Sequence, residues 1–248
     1  MRFLVATLLV LALPAPAALA AGPLAAVHGR TIVIDPGHNP GNGGYPSEIN
    51  RPVDYGLGTK PCDTTGTSTR GGYAEARYTY DVSLRVRGML QAAGAKVIFT
   101  HTLTSPAYGP CITERAAIGN RAHADVAISI HADGGPDGGH GYAAIAPSGP
   151  IAHTGLTSAM VASDVRLAAA LRTVYPQTTG IVPSTYLGSD GVYRSNYYGG
   201  LDWSHVPKVL LETGNMRNDA EAARLETSSV RQRIARGIAL GLARFLSG

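Results

Sequence analysis

The sequence predicts a single α/β domain built on an open, twisted, mostly parallel mixed sheet with helices on both faces. Three observations carry this. Short apolar runs rich in β-branched residues stand at 31–35, 125–131 and 208–211. Segments of helical length, with apolar residues at three- and four-residue steps, lie between them. Setting aside the N-terminal stretch leaves about 228 residues, the size of one α/β domain with a full core.

Residues 1–20 carry one positive charge at Arg2, an apolar run from Phe3 to Leu13 and small residues ending Ala18-Leu19-Ala20. That is the pattern of a secretory signal peptide, with cleavage after Ala20. The apolar run is shorter than the ~20 residues of a spanning helix, Pro14 and Pro16 interrupt it, and no later segment is apolar enough to span. A membrane anchor is therefore the weaker reading. The expected mature protein is exported to the periplasm, the cell-wall space or the medium, with 21–29 a spacer and 30–248 the folded domain.

Residues 31–35 read as a buried strand, followed at 41–69 by an irregular loop rich in Gly, Pro, Thr and Asn. At about 29 residues it needs a function or a staple. The helical pattern of 73–93 ends at Gly94, and counting back by sevens from Met89 and Val82 puts Glu75 on the sheet-facing side of its first turn. Next come a strand at 95–100, a helix at 113–122, a strand at 125–131, a glycine-rich turn at 134–141 and a strand at 142–146. A helix at 158–174, a strand at 208–211 and helices from 219 to 245 complete the pattern, with no internal repeat.

Charge and cysteine content narrow the function classes. The formal charge of +4 falls to about +3 without Arg2, and no basic run of the kind nucleic-acid binders carry is present, so no nucleic-acid partner is expected. The two cysteines, Cys62 and Cys111, have no Cys or His at finger spacing, and export favours their pairing. A Cys62–Cys111 disulfide would close a loop of about 50 residues, worth on the order of 4 kcal/mol.

Three strands end in chemistry: His38 after T-I-V-I-D-P-G, His131 after V-A-I-S-I, and Glu212 after K-V-L-L. Open α/β sheets place their sites beyond such ends, and Glu75 adds a carboxylate at the start of a helix. Two imidazoles and a carboxylate form a catalytic zinc set, and a spare carboxylate can serve as base. Each residue alone is more simply structural. Together, two histidines and two inward-facing acids are hard to justify as packing, because buried charge is costly unless paired or metal-bound.

These motifs carry a resemblance. D-P-G-H at 35–38, Glu75 opening a long helix, R-A-A-I-G-N at 115–120, S-I-H-A-D at 129–133 and P-K-V-L-L-E-T-G-N-M-R-N at 207–218 resemble the zinc-dependent N-acetylmuramoyl-L-alanine amidases of the bacterial cell wall. The likeness runs from about 30 to 245 and is closest to the single-domain mycobacterial and actinobacterial enzymes. It implies that His38, Glu75 and His131 bind one zinc ion and that Glu212 is the catalytic acid/base. The implied reaction cleaves the amide between the lactyl group of N-acetylmuramic acid and L-alanine, on peptidoglycan fragments or muropeptides. A monomer is expected. Three departures mark this chain: Thr79 stands where the family commonly has Asn, Asn215 where many members have Phe, and the 41–69 loop is long.

Asp35 is expected either to orient His38 or to hold its own turn, and Asp133 to support the loop after His131. Asn218 with Glu221 reads as a helix cap. Arg70 and the Y-R-S-N-Y-Y run at 193–198 are candidate lining for a glycopeptide groove, whereas His28, His101, His123, His140, His153 and His205 default to solvent or core roles. A serine hydrolase is disfavoured because no G-x-S-x-G occurs. Two alternatives stay open: a zinc peptidase acting within the stem peptide, and a non-catalytic wall-binding regulator on the same scaffold.

Overall fold

The structure, a computed structural model, describes residues 22–248, so the signal-peptide reading of 1–20 lies outside the described residues. The elements follow as β1 (Thr31–Pro36), α1 (Pro46–Ile49), β2 (Pro52–Asp54), β3 (Thr59–Pro61), α2 (Glu75–Ala92), β4 (Lys96–Phe99), α3 (Ile112–Arg121) and β5 (Val126–Asp133). After them come β6 (Ala143–Ala146), α4 (Ser158–Thr179), β7 (Val192–Arg194), α5 (Gly199–Asp202), β8 (Lys208–Asn215), α6 (Asp219–Leu225) and α7 (Ser228–Leu246). One sheet has the order β4-β1-β5-β8-β6-β7, and β2 with β3 forms a separate hairpin. All neighbours in the main sheet are parallel except β8 and β6, which makes it the mixed, mostly parallel sheet expected.

Side-chain alternation divides the core unequally. Ile32 and Ile34, Ile128 and Ile130, and Val209 and Leu211 face one way and bury against α2, α4 and α7, joined by Val82, Leu167 and Ile238. The residues between them face the other way: Val33 and Ala127 pack with Ile118 of α3, and Leu210 with Leu201 of α5. His131 and Glu212 share the parity of Ala127 and Leu210. They therefore emerge on the thinner side, where short elements and loops leave room.

Several segments differ from expectation. The 41–69 loop is not wholly irregular, since it contains α1 and the β2–β3 hairpin and is joined to the start of α3 by a Cys62–Cys111 disulfide. Helix α4 continues through Pro176 to Thr179; proline removes the amide that would bond the Arg172 carbonyl, and the Tyr142 hydroxyl donates to that carbonyl instead, at 3.4 Å. Strand β8 runs four residues past Leu211, because Asn215 still pairs with Asp133 across a bulge in β8 itself, where three residues advance against two on β5. The spacer is part of the fold: Ala25–Val27 form a 3-10 turn whose Val27 is fully buried in the main core. Strand β7 and helix α5, of three and four residues, carry no periodicity that a sequence pattern could reveal.

Candidate active site

The D-P-G-H turn delivers His38 at the end of β1 through a left-handed backbone conformation, φ 60°. That is uncommon for a non-glycine residue, and it turns the imidazole back over the strand ends. Gly37 before it is required by space, since a Cβ there would lie 2.6 Å from the His131 ring. Gly66 is required twice over, by φ 75° and because a Cβ would lie 2.6 Å from His38 and 2.8 Å from Glu75. The two imidazoles meet edge to face with centroids 4.9 Å apart.

Glu75, the first residue of α2, enters from the helix side. Its Oε2 lies 3.1 Å from His38 Nε2 and its Oε1 3.0 Å from His131 Nδ1, while the backbone amides of Thr67 and Ala132 donate to the same carboxylate at 2.9 and 3.2 Å. Candidate ligand atoms of His38, Glu75 and His131 all fall within 4.8 Å of one another, the one such metal-ligand group among the described residues. Glu212 is in register with His131 on the neighbouring strand, buried, and its Oε2 has no hydrogen-bond partner. All four line one pocket of about 450 Å³.

The electrostatics of this cluster are those of a cation site. Burial opposes charge on His38, but Glu75 and Asp63 overcome it and raise the imidazole to about 10. Burial also opposes charge on Glu75, yet the two histidines hold it well below the usual carboxylate range. Glu212 goes the other way. Burial, then the negative charges of Glu75 and Asp133, push it well above that range.

Of the two roles expected for Asp35, the link to His38 is not formed. Strand alternation turns Asp35 onto the thin face, where it accepts from Ser129 Oγ at 2.6 Å, Thr100 Oγ1 at 2.7 Å, Arg115 Nη1 at 2.8 Å and Lys208 Nζ at 3.1 Å. The residue beside His38 is Asp63, with Oδ1 3.7 Å from Nδ1, and the neighbouring Thr64 carbonyl accepts from that nitrogen at 3.1 Å. Buried Arg115 joins the two acids, reaching Asp63 Oδ2 at 2.8 Å as well. The sequence assigned a role to neither: Asp63 lies in an aperiodic loop, and Arg115 entered only as the first residue of the R-A-A-I-G-N motif. Position was a further signal, since Asp63 follows Cys62 and Arg115 stands one helical turn after Cys111.

The remaining candidates separate cleanly. Thr79 Oγ1 donates to the Gly37 carbonyl at 2.7 Å, so it braces the turn that presents His38. Asn215 Nδ2 donates to the Pro136 and Gly139 carbonyls at 2.8 Å each and holds the glycine-rich turn, and Asn218 caps α6 through the Glu221 amide at 3.1 Å. Asp133 accepts from the Tyr186 hydroxyl at 2.8 Å and lines the pocket. Tyr197 and Tyr198 also line it, whereas Arg70 is outside, paired on the surface with Asp137 and Asp219. His101 is a core histidine against the Pro36 carbonyl at 2.9 Å.

A family model described as N-acetylmuramoyl-L-alanine amidase matches residues 32–244, nearly all of the described domain. The chain belongs to the N-acetylmuramoyl-L-alanine amidase family. This amidase is 36% identical over 222 residues to N-acetylmuramoyl-L-alanine amidase Rv3717 of Mycobacterium tuberculosis, covering 89% of the chain and 88% of the relative. Among solved structures it is similar to the N-acetylmuramyl-L-alanine amidase Ami1 of Mycobacterium smegmatis, at TM-score 0.82 and 36% identity over 89% of this chain and 98% of that one. The apo form of Ami1 from Mycobacterium abscessus gives 0.80 and 37%, over 89% of this chain and all of its own. The amidase is thus a peptidoglycan hydrolase similar over most of its length to these mycobacterial enzymes.

Proposed function

We propose that this amidase cleaves the bond between the lactyl group of N-acetylmuramic acid and L-alanine outside the cytoplasm, with zinc held by His38, Glu75 and His131 and with Glu212 as the proton carrier. The observation that carries this reading is the convergence of three ligand-type side chains, all buried or half-buried, beside a buried carboxylate whose Oε2 has no partner. The donor set fits the metal: two imidazoles and a carboxylate are a catalytic zinc set that leaves a position open. Zinc, when bound, supplies a Lewis acid for the scissile carbonyl.

The protein's own groups do the rest. His38 Nδ1 is engaged by the Thr64 carbonyl, which turns Nε2 toward Glu75 and the pocket. Glu212 takes the proton of the attacking water and returns it to the departing amine, which leaves poorly unless protonated. Burial and the charges of Glu75 and Asp133 raise its pKa, and positive charge held at the triad would lower it again, so the groups beside it set how readily it takes and gives up the proton. Gly134, Gly199 and Gly200 line the pocket, where the lack of a side chain leaves room for a substrate backbone.

Zinc stoichiometry measured together with hydrolysis of muramyl dipeptide tests the proposal. Wild type should hold one zinc per chain and release a peptide beginning with L-alanine, and His131→Ala should lose both. Hydrolysis that persists in metal-free His131→Ala would overturn it, and cleavage inside the peptide by mass spectrometry would establish a peptidase instead.

A further inference from the structure

The pocket is lined by five acids, Asp35, Asp63, Glu75, Asp133 and Glu212, and by two cations, Arg115 and Lys60. Arg115 is fully engaged, with Asp35 and Asp63 each at 2.8 Å. Lys60 differs. Among the described residues no carboxylate stands within ion-pairing distance of it, and its one hydrogen bond goes to the Tyr197 carbonyl at 2.5 Å. Two ammonium protons are left free.

Its place is fixed from several sides. Lys60 sits on β3, two residues before the disulfide at Cys62, and its Nζ lies against the Tyr197 ring with the Tyr55 and Tyr198 centroids 5.1 and 5.9 Å away. Tyr197 and Tyr198 line the same pocket as the candidate metal triad. Partial burial lowers Lys60 to about 8 and Asp202 offsets this only in part, so the ammonium is under-compensated and gains from an incoming anion.

Substrate chemistry says which anion. The carboxyl of muramic acid is consumed in the scissile amide, so the free carboxylates of a muropeptide lie on the peptide side. The first belongs to the glutamate that follows L-alanine. The other acids of the pocket repel such a group. Resting on the amidase reading above, we propose that Lys60, framed by Tyr197 and Tyr198, binds the α-carboxylate of the second stem-peptide residue and so directs the peptide arm toward the β2–β3 hairpin.

The test uses the zinc-loaded chain and two muramyl tripeptides that differ only in whether the second residue's α-carboxyl is free or amidated. Wild type should favour the free acid on the order of tenfold in kcat/KM, mainly through KM. Lys60→Met should abolish that preference by raising KM for the acid alone, and Lys60→Arg should restore most of it. Calorimetry with the two tripeptides lacking the sugar gives a readout without hydrolysis, and the same preference and the same loss are expected. Equal affinity for the acid and the amide would overturn the subsite while leaving the amidase reading intact. Selective binding without cleavage would overturn that reading and leave the subsite standing. If Lys60 served only to neutralise buried Asp202, Lys60→Met would impair both substrates alike, and that outcome also counts against the proposal.

Discussion

His131 and Glu212 are neighbours because two strands lie in register; His38 and Asp63 are neighbours because a loop is tied down. In the first half of the site the backbone ladder of β5 and β8 sets position, and each side chain simply follows the alternation of its strand. In the second, a left-handed residue, the Thr64 carbonyl, the Arg115 bridge and a disulfide share the task. The lesson is that one site can have a rigid half and a fastened half, and these should fail differently.

Substitutions can pull the two halves apart. The largest expected effect is on the rigid half: Glu212→Gln should lower kcat by about 10²–10⁴ while zinc stoichiometry stays at wild type. Turnover within tenfold of wild type would remove Glu212 from the proton path. On the fastened half, Cys62→Ser with Cys111→Ser should cost roughly 2–5 kcal/mol in denaturant unfolding. Zinc should also be held more weakly, with the far-ultraviolet dichroism of the sheet and helices retained. Asp63→Asn keeps a polar group at the Thr64 amide but removes the charge between His38 and Arg115. It should weaken zinc binding about 10–100-fold in chelator competition. Affinity within twofold of wild type would show that the Thr64 carbonyl orients His38 unaided.

The smallest effect concerns the anchorage of β8. Asp164 accepts from the Lys208 amide at 2.8 Å, and burial raises it from 3.8 to about 7, the backbone bond and the charges of Arg194 and Lys208 offsetting only part. Between those values the folded chain keeps a proton that the unfolded chain has lost, so stability falls as pH rises from about 4 to 7. Asp164→Asn should flatten that slope and add roughly 1–3 kcal/mol at pH 8. A urea series across this range reads it directly, and an unchanged slope would rule Asp164 out as its source.

The two halves also differ in how far they could be read in the sequence. Strand residues announce themselves, because a run such as V-A-I-S-I followed by His marks the element even though β5 and β8 run two and four residues beyond their expected ends. The heptad count from Met89 likewise places Glu75 on the sheet-facing side of its helix. Asp63, Arg115 and Lys60 had no such pattern. Their partners stand 52 residues apart in the Arg115–Asp63 pair and 137 in the Lys60–Tyr197 contact, joined by a loop whose path periodicity does not describe. Of the two roles expected for Asp35, the contact with His38 is missing for a related reason: strand parity sends the side chain to Ser129 and Arg115 instead, and Arg115 in turn holds the Pro36 carbonyl of the turn.

Gly37 and Gly66 have a consequence for how this site can change. At each of them even a methyl group would overlap the imidazoles or Glu75, and these side chains are backed by other contacts that leave them little freedom to retreat. A saturation library at either position should return glycine almost alone, whereas the rim of the groove around Lys60 and exposed Tyr197 is free to vary. Diversification of this scaffold toward new peptides is thus channelled to the rim, with the metal end held fixed by two residues that contribute no side chain.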